Sequence, residues 1–187
     1  AHMALAIIGE GEIFYNGKIT PAAEVFEAEK LTSFAIRLRE GLALMNGTSC
    51  MTGIALVNII RVKKLVNWSV LFSATINEIF RAYNDHISES LNAAKLHSGQ
   101  AAIAAALRSV LAQSTLIRSR HEYLYTSTDE THFKEKVQEY YSLRCTPQII
   151  GPVWDTLLQA EQTILNELNS VSDNPIVDDA SQNVFHG

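Results

Sequence analysis

Between Val137 and Gln148 the chain places Gln138, Glu139, Tyr140, Tyr141 and Arg144 within a few residues, between long helical patterns. At helical spacing Gln138, Tyr141 and Arg144 fall within one third of the circumference, so all three could look into one cavity. Arginine presents a planar fork that fits a carboxylate with two parallel hydrogen bonds. Glutamine and tyrosine add directional donors and acceptors beside it. This is equipment for holding an amino acid by its polar end. The alternative reading is a helix end whose polar residues face water.

The elements that must position these residues are helical. No proline lies between Pro21 and Pro147, and no glycine between Gly53 and Gly99, so long helices are permitted. Ala4 to Ile8 reads as the end of a helix capped by Gly9. Ile13-Phe14-Tyr15 followed by Asn16-Gly17 reads as a small hairpin near the N-terminus. Thr20 and Pro21 make an N-cap and first helical position for a short helix to about Lys30. Thr32 or Ser33 caps a further helix ending near Asn46-Gly47.

Two long helices are then expected, about Cys50 to Val66 and Asn67 towards Leu91. The second carries Val70, Ala74, Asn77, Phe80 and Ile87 on one side. Between His97 and Arg118, Ala101, Ala104, Leu107, Leu111 and Ile117 form another stripe. Tyr123 to Thr131 reads as a loop. Pro147 to Asn169 is a last long helix with Trp154, Leu157, Leu158, Glu161, Ile164, Leu165 and Leu168 on one side. Glu161 stands there as an edge position or a buried partner. The fold class is therefore all-α, a long antiparallel helix bundle with one small hairpin.

Composition fits a packed helical protein, with 47% apolar and 19% charged residues. A net charge of −5 argues against nucleic acid or an anionic membrane as partner. The one basic cluster, Arg61, Lys63 and Lys64, reads as a solvated helix end. No apolar run is long enough to span a bilayer. Cys50 and Cys145 are far apart and outside any metal-ligand spacing, which suits reduced thiols in a cytoplasmic protein. The histidines form no metal motif, so no metal site is expected.

Four ordered segments carry a resemblance. Gly9-Glu10-Gly11-Glu12, the run from Arg39 through Glu40-Gly41-Leu42-Ala43-Leu44-Met45-Asn46 to Gly47-Thr48, the Gln138 to Arg144 segment, and Asn169 to Pro175 are similar to segments of the aromatic amino acid lyase family. That family comprises the histidine, tyrosine and phenylalanine ammonia-lyases and the related aminomutases. The resemblance implies the central helical core through which such enzymes associate as homotetramers. Each active site there takes residues from more than one subunit, so Asn46 and the Gln138 to Arg144 group need not meet within one chain.

The resemblance also implies chemistry. These enzymes build an electrophile, 4-methylidene-imidazole-5-one (MIO), from an internal Ala-Ser-Gly, and no Ala-Ser-Gly occurs in this chain. Residues 1–187 therefore correspond to one central segment of a larger lyase, expected to be inactive alone, and Ala1-His2-Met3 matches the family as native sequence. Arg144 matches the arginine that binds the substrate carboxylate. Tyr141 matches a catalytic tyrosine whose hydroxyl orients or relays a proton. Gln138 matches a contact to substrate or cofactor, and Asn46 an amide that bonds the substrate or the cofactor carbonyl. Tyr140 is read as packing, and His97 and Gln100 as structural.

The implied reaction eliminates ammonia from L-histidine or an aromatic L-amino acid to give an α,β-unsaturated acid. A 2,3-aminomutase parent, or a non-catalytic helical oligomerisation core, are the alternatives. Ser49 to Gly53 looks closer to tyrosine-type enzymes and aminomutases, whereas the run from Tyr141 to Cys145 is shared with histidine enzymes.

Overall fold

The computed structural model describes residues 1–124, 136–172 and 174–186. The chain divides into two compact units, Ala1–Thr52 with Val171–Gly187, and Gly53–Ser170. The expected loop from Tyr123 lies mostly outside the described residues. Tyr123 itself lies within a short helix (α7, Arg120–Leu124).

In the first unit, helix α1 (His2–Ile7) runs out before Gly9, whose φ of +80° suits glycine alone at little cost. Strands β1 (Glu12–Tyr15) and β2 (Lys18–Pro21) pair antiparallel with Tyr15 opposite Lys18. Asn16 and Gly17 both take positive φ, the two-residue turn that the Asn-Gly pair signals. Helix α2 (Ala22–Ala28) starts one residue later than the Thr20-Pro21 reading, because both residues remain in β2 and Pro21 takes the cap position. The Tyr15 hydroxyl donates to Glu29 and ties the hairpin to the end of α2. The next helix, α3 (Glu40–Asn46), ends where expected but is not capped by Thr32 or Ser33. Glu40 in its first turn instead accepts from the Arg37 amide at 2.7 Å. A second hairpin, β3 (Ile176–Asp178) and β4 (Asn183–Phe185), was not foreseen.

Helix α4 (Ser49–Ile79) is one element, not two with a break at Asn67. It ends without glycine. The Ala82 amide returns to the Asn77 carbonyl at 2.9 Å and the Arg81 amide to Glu78 at 3.0 Å, with Arg81 at φ +49°. This is the Schellman pattern with arginine in the left-handed position. Beyond it, Tyr83 bridges Arg118, a 3-10 turn covers Asp85–Ile87, and Ser88 caps α5 (Glu89–Ala93).

Helices α6 (Ser98–Leu111) and α9 (Thr146–Leu168) complete the core of the second unit. Ile59, Val66, Val70 and Ala74 from α4 join Ile103, Leu107 and Leu111 from α6 and Leu157 from α9. Each valine, leucine or isoleucine side chain removed from water contributes roughly 1.5–3 kcal/mol. The fold is thus all-α apart from two small hairpins. Phe80, expected on the buried side, is 62% exposed, continuing the open face of α4 that carries Phe72, Ile76 and Ile79. The basic cluster lies inside α4, where Lys63 pairs with Glu161 of α9 and lies 5.8 Å from the Trp154 ring centroid. Glu161 is therefore a half-buried partner.

Two glycines set the spacing of α6 and α9. A Cβ on Gly99 would stand 2.1 Å from the Gly151 carbonyl oxygen, and one on Gly151 would stand 2.5 Å from the Gln100 nitrogen. Beside this contact Gln100, buried, donates to Asn92 Oδ1 at 3.0 Å. Asn92 in turn donates to the carbonyls of His86 at 3.1 Å and Ser88 at 2.8 Å. This chain of amides, anchored on α6, fixes the loop that forms one wall of the cavity described next.

Candidate functional site

The Gln138 to Arg144 segment is not one helix. Helix α8 covers only Tyr141–Arg144, and Tyr140 before it has an extended backbone. The physical reason lies in Glu139, which is 4% exposed and accepts from the Tyr83 amide at 3.0 Å and from Lys136 Nζ at 2.6 Å. Holding that carboxylate against Tyr83 keeps residues 139–140 out of helix. Gln138 and Arg144 still face the same space, brought there by an extended approach followed by a helical turn.

That space is a cavity of about 350 Å³ whose walls include Asp85, His86, Arg120, Gln138, Glu139 and Arg144. Arg120 Nε pairs with Asp85 Oδ2 at 2.6 Å, and its guanidinium lies 5.5 Å from the Tyr83 ring centroid. Burial pushes the His86 imidazole below its ordinary pKa, against the upward pull of Glu139 and Asp85. Arg144 Nε is buried and has no hydrogen-bond partner among the described residues. Its guanidinium lies 4.2 Å from the Tyr141 ring centroid. Tyr141 itself is 72% exposed and does not line the cavity. Tyr140 is also exposed, beside Lys136, and not packed inward.

Asn46, the last residue of α3, belongs to the first unit and is exposed. Gln100 has the structural place expected of it, and His97 stands at the N-cap of α6 without a side-chain cap bond. Among the described residues no group of three or more His, Cys, Asp or Glu side chains could hold a metal. The sequence gives no sign of His86, Asp85 and Arg120, and none of a role for Glu139. Glu139 lies 56 positions from its partner Tyr83, and Arg120 pairs with Asp85 on the far side of α6, so no local motif announces them.

Arg144, with its buried Nε unpartnered, thus stands in the wall of a cavity in a helical protein, and a guanidinium is a group that pairs with carboxylates. The family model for aromatic amino acid lyases matches residues 1–187, and the chain belongs to that family. It is 38% identical to a tyrosine 2,3-aminomutase of Myxococcus sp. (strain Mx-B0), covering 100% of this chain and 37% of that protein. It is 35% identical to a histidine ammonia-lyase of Idiomarina loihiensis, again over 100% of this chain and 35% of the relative. The phenylalanine aminomutase of Pantoea agglomerans superposes with a TM-score of 0.81 at 32% identity, covering 99% of this chain and 37% of that structure. The chain thus spans little more than a third of the length of these relatives.

Proposed function

We propose that residues 1–187 form one central segment of a MIO-dependent ammonia-lyase that eliminates ammonia from L-histidine or an aromatic L-amino acid, giving the α,β-unsaturated acid. The observation that carries this reading is Arg144, whose buried Nε lacks a partner beside a cavity that also takes Gln138. In the proposal Arg144 binds the substrate carboxylate, and the Tyr141 ring holds the guanidinium plane while its hydroxyl orients or relays a proton. Gln138 and Asn46 supply amides that donate to a substrate or cofactor carbonyl. Gln138, which lines the cavity, is an amide donor of the kind that fits a neutral, carbonyl-bearing group such as MIO, which when bound would supply the electrophile that activates the substrate amino group. Its Ala-Ser-Gly precursor is absent from these 187 residues, so the chain alone is expected to turn over no substrate.

The segment would work within a homotetramer in the cytoplasm. Ile60, Leu65, Trp68, Phe72 and Ile79 of α4 are about half exposed or more, which supports burial of this helix against other chains or other parts of the protein. No single helix among the described residues is long and apolar enough to cross a membrane, and both cysteines are free thiols. A 2,3-aminomutase is the second reading, favoured by the identity to tyrosine 2,3-aminomutase.

The test is Arg144→Lys in the full-length enzyme, with L-histidine, L-tyrosine and L-phenylalanine as substrates. Replacing a fork by a point charge forfeits part of a charge-assisted pair, so KM should rise roughly 10–100-fold. An unchanged KM would remove Arg144 from the site. Chromatography of the products separates unsaturated acid from β-amino acid, and so lyase from mutase.

A further inference from the structure

We propose that Glu139 is a positioning residue: its buried carboxylate anchors the Gln138 to Arg144 segment to the Tyr83 backbone and thereby sets where Arg144 stands. The inference rests on the reading of Arg144 as the carboxylate-binding group. Glu139 is buried within a run whose neighbours Gln138, Tyr140 and Tyr141 are all exposed. A carboxylate in such a place needs partners, and it has one from each side. The Tyr83 amide donates from the exit of α4, 56 residues away, and Lys136 donates from its own segment.

Tyr83 is a rigid point of attachment. It is 1% exposed, and the strands of backbone on either side of it are held by the bonds of Arg118 to Ala82 and of Asn84 to Arg118, both 3.0 Å. Between Glu139 and Arg144 there are only four residues, three of them in α8. From the anchor the backbone passes through extended Tyr140 directly into that single helical turn. Helix α8 is too short to hold its own orientation, since one turn of helix is not stable alone. The direction of Arg144 therefore depends on what fixes residue 139 before it and Thr146 after it. Thr146 is itself buried and donates to the Leu143 carbonyl at 3.2 Å. Neither Glu139 nor Tyr83 need touch a substrate for this.

The acceptor, more than the charge, does the anchoring, because the partner fixed in place is an N–H and the Lys136 side chain is half exposed. Glu139→Gln keeps an acceptor of the same length, whereas Glu139→Ala leaves the buried Tyr83 amide without one. Hydrogen exchange on this chain reads the anchor without reference to any activity. Glu139→Ala should lose protection at the Tyr83 amide and across residues 140–145 while α6 and α9 keep theirs, and Glu139→Gln should resemble the parent. Unchanged protection in Glu139→Ala would overturn the anchor.

Kinetics of the full-length enzyme read the positioning. Glu139→Ala should raise KM on the order of tenfold with kcat changed far less, and Glu139→Gln should restore it. A fall in kcat at constant KM would mean lost folded enzyme and would refute positioning, as would failure of the glutamine variant to rescue. Arg144→Lys run in parallel separates the two ideas. An unchanged KM there overturns the amino acid-binding reading itself, while a raised KM there with none in Glu139→Ala overturns only the role of Glu139.

Discussion

Gly99→Ala and Gly151→Ala set two physical effects against each other. Alanine is the better helix former, so either change in an open helix would gain about 1 kcal/mol. At position 99, however, the new Cβ would sit 2.1 Å from the Gly151 carbonyl oxygen and 2.7 Å from Asp155 Cγ. At position 151 it would sit 2.5 Å from the Gln100 nitrogen and 2.6 Å from its Cα. These are mostly backbone atoms of a packed helix, which cannot rotate away as a side chain can. The helices must move apart by more than half an ångström, and Leu107 and Leu157 in the shared core lose contact as they do. Overpacking of this kind costs about 1–3 kcal/mol and more where backbone is the obstacle, so a net loss of about 2 kcal/mol remains. For a chain of this size that corresponds to a fall in Tm of about 4–8 °C. Gly53 is the control: nothing lies within 4 Å of its added Cβ, so Gly53→Ala should raise Tm. Circular dichroism melts of the three variants decide the matter. If Gly99→Ala and Gly151→Ala melt at or above the parent, the close contact of α6 and α9 is wrong.

Asn92→Ala removes the acceptor of Gln100 and the donor to two carbonyls, and should cost about 2–4 kcal/mol in urea unfolding, whereas Gln162→Ala on the exposed face of α9 should fall within about 0.5 kcal/mol. The depressed pKa of His86 has a definite sign: the unfolded ring takes a proton near pH 6.5 and the buried one resists it, so its contribution is present above about pH 6.5 and is lost as pH falls through the lower folded value. Unfolding free energies between pH 8 and pH 5 should therefore fall less steeply in His86→Gln, and parallel slopes would exclude His86 as the source. Lys63 and Glu161 are each about a quarter exposed, so a double-mutant cycle should give a coupling below about 1 kcal/mol, and a coupling above 2 kcal/mol would contradict the solvation seen here.

Helix α9 was readable because its signals are local: Pro147 in the first turn, then an apolar repeat interrupted once by Glu161. The Asn16-Gly17 hairpin was readable for the same reason. The end of α4 was not. Glycine and proline are the stop signals that a sequence offers, and here Arg81 takes the left-handed position while Asn77 supplies the closing carbonyl. The site was half legible. Arg144 and Gln138 announce themselves by type, but the grouping by helical spacing failed, since residue 139 is held extended by a partner that no periodicity can reveal. Half the lining residues of the cavity are Asp85, His86, Ser88, Leu91 and Arg120, whose nearness to Arg144 is purely tertiary.

The contact between positions 83 and 139 has a consequence for inheritance. At residue 83 the Glu139 carboxylate accepts from the main-chain N–H, a group that every amino acid except proline carries. The ring at 83 makes contacts of its own, with Tyr123 and with the Arg120 guanidinium. As far as this bond is concerned only proline is excluded at 83, so substitutions at 139 need not follow those that the packing of the buried ring allows at 83. Methods that infer contacts from paired changes would pass over this one.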